Sequence, residues 1–155
     1  MKQFDYYTST VSDQFIDWLY KTFNDMKDMK EFSKINITEN CQLTENIIYL
    51  VPKEFRKEIT KDLFDDKDLF WMHLLKFSDN GKLDWHSHKD TETYSYVIYM
   101  DDNGGTMFND NTFVSSKKNR IVYFNSNYEH KAITNNKIRY VAAGGLIKKW
   151  VECFV

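Results

Sequence analysis

Two histidines, His86 and His88, stand two positions apart just before a predicted strand. Alternate residues of an extended chain point to the same side, so both imidazoles can face one point. Asp90 has the same parity and joins them if the extended conformation continues. His130 begins another predicted strand farther along the chain. Two ligands from one strand end and a third from a later strand predict a three-ligand metal site, which leaves positions on the ion open for catalysis.

A His-x-His pair alone is a weak signal, because surface histidines also fall two apart by chance. Its place at a strand end, followed by the Gly104-Gly105 turn and then by His130, favours a metal site here. The fourth histidine, His73, lies in the middle of a predicted strand among apolar residues. We therefore expect His73 to have a structural role.

The part of the chain that carries these residues, 69–155, consists of short apolar runs separated by turn sequences such as Asp79-Asn80-Gly81. The predicted strands are Phe70–Phe77, Thr93–Met100, Thr106–Phe108, Thr112–Val114, Arg120–Phe124, His130–Ile133, Ile138–Leu146 and Lys149–Phe154. Many short strands at close spacing are typical of a β-sandwich or barrel.

The preceding part, 1–67, is predicted to be mainly helical. Thr10 or Ser12 can cap a first helix. Its apolar residues recur at intervals of three and four, which predicts a one-sided helix; they are Phe15, Trp18, Leu19, Phe23 and Met26. A second helix is predicted to open at Pro52, where the missing amide of proline costs nothing. Its apolar face holds Phe55, Ile59 and Leu63, and Ile47–Leu50 is predicted as a short strand before it.

The composition fits one globular domain, 1–155, of the α+β class and mainly β. Aromatic residues reach 17% and proline occurs once, which excludes a proline-rich linker or a disordered chain. The net charge of −2 gives no basic surplus, so nucleic-acid binding is not indicated. Two cysteines, Cys41 and Cys153, are too few for a disulfide framework. With no apolar run that could span a membrane, we expect a cytoplasmic protein, as a monomer or homodimer.

The run from Trp85 to Leu146 resembles the core of the Fe(II)- and 2-oxoglutarate-dependent dioxygenases, and most closely their small prolyl-hydroxylase-like members, including those of bacteriophages. The matching pieces, in order, are Trp85-His86-Ser87-His88, Tyr94–Met100, Gly104–Phe108, Lys118–Ser126, His130 and Arg139–Gly144. Each piece alone is loose, whereas their order and spacing together are more specific. The resemblance implies a double-stranded β-helix, a jelly-roll or cupin-like sandwich, braced here by the N-terminal helices.

The resemblance also implies the parts of an active site. His86, His88 and His130 would be the metal ligands and would hold Fe(II). Arg139 occupies the position of the basic residue that pairs with the far carboxylate of the cosubstrate 2-oxoglutarate. Tyr99 matches a position whose hydroxyl often helps to hold the same molecule. The implied activity is hydroxylation by O2, coupled to oxidative decarboxylation of 2-oxoglutarate, inside a bacterial or phage-infected cell.

This chain departs from the usual His-x-Asp…His pattern of that family. His88-Lys89-Asp90 reproduces the pattern literally, so His88, Asp90 and His130 form one candidate ligand set. The set His86, His88 and His130 agrees better with the preceding tryptophan and with the distance to Tyr99. We favour the three histidines, with Asp90 as a competing ligand or as an acceptor for an imidazole N–H.

Two other functions remain open at this stage. A cupin-like metalloprotein would use the same three histidines with Glu92 as a fourth ligand and would not need 2-oxoglutarate. A β-sandwich without catalytic activity would bind partners through its aromatic surface. The primary substrate cannot be read from the residues; a protein side chain, a nucleobase and a small metabolite are all candidates.

Overall fold

The computed structural model describes residues 6–26, 34–38, 41–44, 53–60, 69–77, 79 and 83–147. In chain order the elements are β1 (Tyr6–Thr10), α1 (Asp13–Met26), β2 (Lys34–Thr38), β3 (Cys41–Thr44), α2 (Lys53–Thr60), β4 (Leu69–Phe77), β5 (Leu83–His86), β6 (Tyr94–Tyr99), β7 (Gly105–Phe108), β8 (Phe113–Ser115), β9 (Arg120–Asn125), β10 (His130–Ile133) and β11 (Arg139–Ile147). Neither of these two helices is long and apolar enough to cross a membrane.

The strands form two antiparallel sheets. The large sheet has the order β1-β9-β6-β11-β4-β3-β2, and the small sheet has the order β5-β10-β7-β8. Consecutive strands alternate between the sheets at several points of the chain, as in a jelly roll. The predicted double-stranded β-helix is therefore confirmed, and the helices lie on one side of it as expected.

A layer of side chains joins the two helices to the outer face of the large sheet. Phe15 and Leu19 of α1 and Ile59 of α2 are fully buried in this layer. They pack against sheet residues such as Ile98 and Ile121, and the Phe15 and Phe55 rings lie 5.2 Å apart. The one-sided pattern of α1 arises because its other face remains in water.

A second layer lies between the two sheets, and it is the layer into which the site opens. Its buried members come from both sheets and include Phe77, Tyr99, Phe108 and Phe124. The central strands of the large sheet are thus covered on both faces, which explains their nearly continuous apolar sequences. Many of the aromatic residues that the structure describes lie in these two layers.

The start of α1 is fixed by Ser12, one of the two predicted caps. The Ser12 Oγ accepts a hydrogen bond from the Phe15 amide at 3.0 Å, which satisfies a free amide of the first turn. The Ser12 amide donates to Glu58 Oε2 at 2.9 Å and so joins α1 to α2. This link holds both helices on the same face of the large sheet.

The prediction of a mainly helical N-terminal part needs correction. Three strands of that part, β1, β2 and β3, add to the edges of the large sheet. The strand β5 was also missed, whereas the seven predicted strands between Phe70 and Leu146 are present with small shifts of their ends. The predicted elements Ile47–Leu50 and Lys149–Phe154, the helix start at Pro52 and its Leu63 lie outside the described residues.

Candidate metal centre

Strand pairing brings two of the three histidines together. His86 ends β5 and His130 begins β10, and the two residues face each other in the antiparallel register of the small sheet. His88 follows two positions later, where its amide donates to the Ser126 carbonyl at 2.9 Å. This backbone bond places the third imidazole beside the first two.

The three imidazoles form a tight cluster. One nitrogen from each ring can be chosen so that all three lie within 4.8 Å of one another. The ring centroids are 4.9 Å apart for His86 and His88, 4.2 Å for His86 and His130, and 5.2 Å for His88 and His130. Three nitrogen donors this close together can bind one transition-metal ion and leave its other coordination positions open.

Backbone carbonyls fix the orientation of two of these rings. Nδ1 of His86 lies 2.7 Å from the Asp84 carbonyl oxygen, and Nδ1 of His130 lies 3.1 Å from the Tyr128 carbonyl oxygen. A carbonyl oxygen can only accept, so each Nδ1 carries a proton and Nε2 is the nitrogen left for a ligand. Metal-binding histidines are commonly held in this way.

The environment keeps two of the imidazoles neutral. Burial, reinforced by the neighbouring His86 and His73, lowers the pKa of His88 to about 4. Burial is also the main reason that the pKa of His130 falls to about 3. Both rings are therefore uncharged at neutral pH, which is the form that binds metal.

The two nearby carboxylates have different positions. Asp90 is exposed and lies in the turn after His88, outside the histidine cluster. Glu92 is buried, and its Oε1 lies 3.7 Å from Nδ1 of His88. Burial raises the pKa of Glu92 to about 7, against the opposing effect of its hydrogen bonds to Ser95 and Thr91. The buried carboxyl beside the histidine cluster is therefore that of Glu92.

Arg139 lies deep between the sheets at the start of β11, with 2% of its surface exposed. Its guanidinium carbon is 5.3 Å from the centre of the Phe77 ring and 5.7 Å from that of Tyr99. Its Nε donates a long bond of 3.4 Å to Ser116 Oγ. A cation buried between two rings in this way is a suitable partner for an anionic group.

Tyr99 is also fully buried and reaches the site through Thr106. The two hydroxyl oxygens are 2.7 Å apart, and either can donate. The Tyr99 ring lies beside Arg139, so the tyrosine, the threonine and the arginine form one polar group in an aromatic surrounding. Sequence reasoning did not select Thr106, although its place directly after Gly104-Gly105 in the matched segment was a signal.

A cavity of about 420 Å³ connects these groups. Its wall includes the three histidines, Arg139, Thr106 and Glu92, and most of the remaining wall is apolar. His73, which we predicted to be structural, also faces this cavity, and burial lowers its pKa. The histidine cluster and the buried arginine thus line one cavity.

Comparison with known proteins adds information at the level of structure. No protein-family model matches the chain, and no curated protein matches its sequence. A prolyl-4-hydroxylase from Pseudomonas putida matches with a TM-score of 0.66 and 13% identity, over 93% of this chain and 92% of that one. A viral collagen prolyl hydroxylase from Paramecium bursaria chlorella virus 1, solved with 2-oxoglutarate, has the same TM-score and identity over 92% and 95%.

A prolyl hydroxylase from Trichoplax adhaerens, solved with a peptide of hypoxia inducible factor, matches with a TM-score of 0.66 and 12% identity over 96% of this chain and 86% of that one. This chain has the prolyl-hydroxylase-like fold. The resemblance drawn from the order of its motifs is confirmed at that level. The match covers nearly the whole of both chains, so the helices belong to the shared architecture as well as the sandwich.

Proposed function

We propose that this protein is an Fe(II)- and 2-oxoglutarate-dependent oxygenase that hydroxylates an as yet unidentified substrate. The observation that carries the proposal is the cavity whose wall holds both the three-histidine cluster and the buried Arg139. A metal site and an anion site in the wall of one cavity are what a metal-bound keto dicarboxylic acid requires.

The donor set fits a divalent iron ion. The ion would be held by His86, His88 and His130. Since Nδ1 of His86 and of His130 is bonded to a backbone carbonyl oxygen, Nε2 of these two rings is available to the metal. Three neutral nitrogen donors give a more positive centre than two histidines and a carboxylate. Imidazole is nevertheless an ordinary ligand for iron, and three protein ligands leave room for further groups.

The part of the cavity wall that holds Arg139 fits the other end of 2-oxoglutarate. Arg139 would pair with the distal carboxylate through its planar, two-pronged guanidinium. Thr106, held by Tyr99, offers a hydroxyl at the same wall. Because Arg139 is buried between rings, the pairing would take place away from water, where it is stronger.

When bound, iron with 2-oxoglutarate and O2 supplies an oxidant that inserts oxygen into a C–H bond, at the cost of converting the keto acid to succinate and carbon dioxide. The residues of this chain bind, orient and shield. The three imidazoles fix the ion, Arg139 and Thr106 orient the cosubstrate, and apolar walls such as Phe124 and Val141 limit access of water.

The primary substrate stays open between a protein side chain, a nucleobase and a small metabolite. Two of the matched structures are named as prolyl hydroxylases of collagen or of a hypoxia inducible factor peptide. Proline-containing peptides are therefore the first substrate class to test, as donors of the C–H bond in a succinate-formation assay.

The activity class can be tested without the primary substrate. Purified protein is mixed anaerobically with Fe(II) and 2-oxoglutarate, and the visible absorption spectrum is recorded. We expect the weak charge-transfer band of iron chelated by a keto acid, and we expect its loss in His130→Ala. Absence of the band in the folded wild-type protein would refute the proposal.

A further inference from the structure

A buried carboxylate lies beside the proposed metal site and has no role in the function proposed so far. The Glu92 side chain is 4% exposed, and its Oε1 is 3.7 Å from Nδ1 of His88. In the other two rings of the cluster, Nδ1 instead lies against a backbone carbonyl oxygen, that of Asp84 for His86 and that of Tyr128 for His130. For the His88 ring, the Glu92 carboxylate thus occupies the position that a backbone carbonyl oxygen occupies for the other two rings.

The backbone brings Glu92 to this position through a single helical turn. The Glu92 amide donates to the His88 carbonyl at 3.1 Å, and the Thr91 amide donates to the same oxygen at 3.0 Å. Residues four apart on one helical turn are neighbours on its surface. The turn thus directs the carboxylate toward the ring of His88.

The large sheet is shaped to receive this carboxylate. Glu92 Oε2 accepts a hydrogen bond of 2.5 Å from Ser95 Oγ, which projects from β6. The carboxylate lies directly against Gly145 of β11, where an added Cβ would collide with Oε2 and Cδ of the glutamate. Ser95 and Gly145 are themselves paired across the two strands. A serine donor beside a side-chain-free position makes a fitted seat for the carboxylate.

We propose that Glu92 is a positioning residue, whose carboxylate accepts the Nδ1–H of His88 and thereby presents Nε2 of that ring to the metal ion. The inference rests on the metal site of the proposed function. The separation of 3.7 Å is longer than a hydrogen bond. A carboxylate at this separation still favours the tautomer whose N–H faces it, and contacts at such sites commonly shorten further when the ligand is bound. With this contact, every ring of the cluster has an oxygen acceptor behind it, as is usual for metal-binding histidines.

The first test needs no metal. Nitrogen-15 NMR of the protein in EDTA at pH 8.5, where the Glu92 carboxyl is ionised, reports which ring nitrogen of each histidine carries the proton, with His88 assigned by comparison with His88→Gln. We expect the Nδ1–H form for all three rings of the wild-type protein. In Glu92→Ala, His88 should shift toward the Nε2–H form, while His86 and His130 keep Nδ1–H because their carbonyl partners remain. These two rings serve as internal controls.

The second test measures metal affinity by titration with Co(II). Removal of a group behind a metal ligand commonly weakens binding by about 10- to 100-fold, and we expect a loss of this size in Glu92→Ala. Asp17→Ala is the control, because it removes an exposed carboxylate from α1, on the face of the large sheet away from the cavity, and its affinity should equal that of the wild type. Glu92→Gln keeps the shape and an acceptor oxygen, so it should lie between the two.

The outcomes separate this inference from the proposed function. If the wild type binds no Co(II), the metal site itself is wrong. If the wild type binds and Glu92→Ala binds equally well, or if His88 keeps Nδ1–H in that variant, the role of Glu92 is wrong while the metal site stands. If Glu92→Ala shows no cooperative urea unfolding, and so is not folded, the His88 tautomer and the Co(II) affinity are measured on Glu92→Gln instead. Wild-type values of both in Glu92→Gln would then overturn the inference.

Discussion

The most informative substitution removes the guanidinium of Arg139 and keeps its packing. In Arg139→Met, an unbranched apolar chain remains between Phe77 and Tyr99, whose ring centres lie 5.3 and 5.7 Å from the guanidinium carbon in the wild type. Arg139 is 2% exposed, so its pairing with a carboxylate would be fully removed from water. Loss of one member of such a pair costs about 2–5 kcal/mol, or roughly 30- to 5,000-fold in affinity.

The assay is anaerobic calorimetry of 2-oxoglutarate binding to the Mn(II)-loaded protein. Arg120→Met is the matched control, because Arg120 is not part of the cavity wall. It lies on β9 and donates hydrogen bonds of 2.9 Å to Ser115. A second comparison uses 2-oxobutyrate, which lacks the distal carboxylate. The wild type should bind 2-oxobutyrate as weakly as Arg139→Met binds 2-oxoglutarate. Arg139→Met should bind the two keto acids with equal affinity. If a folded Arg139→Met variant bound 2-oxoglutarate as the wild type does, the assignment of Arg139 would be refuted.

Three further predictions concern the same region. Folding lowers the pKa of His130 from its ordinary value of 6.5 to about 3, so between pH 7 and 5 only the unfolded chain takes up a proton at this residue. In urea unfolding with EDTA, the wild type should therefore lose about 2 kcal/mol more unfolding free energy than His130→Asn when the pH falls from 7 to 5. Equal losses in the two proteins would contradict this. Gly145→Ala, which drives a Cβ into the Glu92 carboxylate, should cost about 1–3 kcal/mol of unfolding free energy. Most of that cost should vanish in the Glu92→Ala background, whereas full additivity would exclude the contact. Tyr99→Phe removes the hydroxyl that lies 2.7 Å from the Thr106 hydroxyl and should lower the unfolding free energy by about 1–3 kcal/mol. An unchanged urea midpoint would show that this hydrogen bond contributes nothing to stability.

The sequence predicted the central strands and the first helix because their signals are local. In α1, apolar residues at helical spacing end in a buried stripe that includes Phe15 and Leu19. The central strands are apolar on both faces and bounded by turn sequences. His130 was correctly placed at the start of a strand, whereas His86 was placed before a predicted strand and in fact ends β5, and the pairing of the two depended on the sheet order.

Other features depended on contacts between distant segments. The strand Tyr6–Thr10 is polar and mostly exposed, and it becomes a strand by pairing with β9 at the edge of the sheet. The short strand β5 is likewise an edge, and its four residues are too few for a pattern to be recognised. An edge strand has no strong apolar pattern of its own, so sequence periodicity does not reveal it.

The surroundings of the histidines were the least accessible part. Glu92 was considered only as a fourth ligand, because its relation to His88 arises from one helical turn that the sequence does not signal. Its contact with Gly145 joins a loop to β11 and depends on how closely the two backbones approach. Such contacts are properties of the folded chain and not of any local pattern.

The measurement that tests the central claim most directly is the effect of metal on 2-oxoglutarate binding. Calorimetric titrations are run anaerobically on the wild-type protein with Mn(II) and with EDTA. If the histidine cluster and Arg139 form one site, 2-oxoglutarate binds tightly with the metal and much more weakly without it, and 2-oxoglutarate tightens Mn(II) binding by the same factor. Equal affinity in both conditions, or no binding in either, would contradict the account.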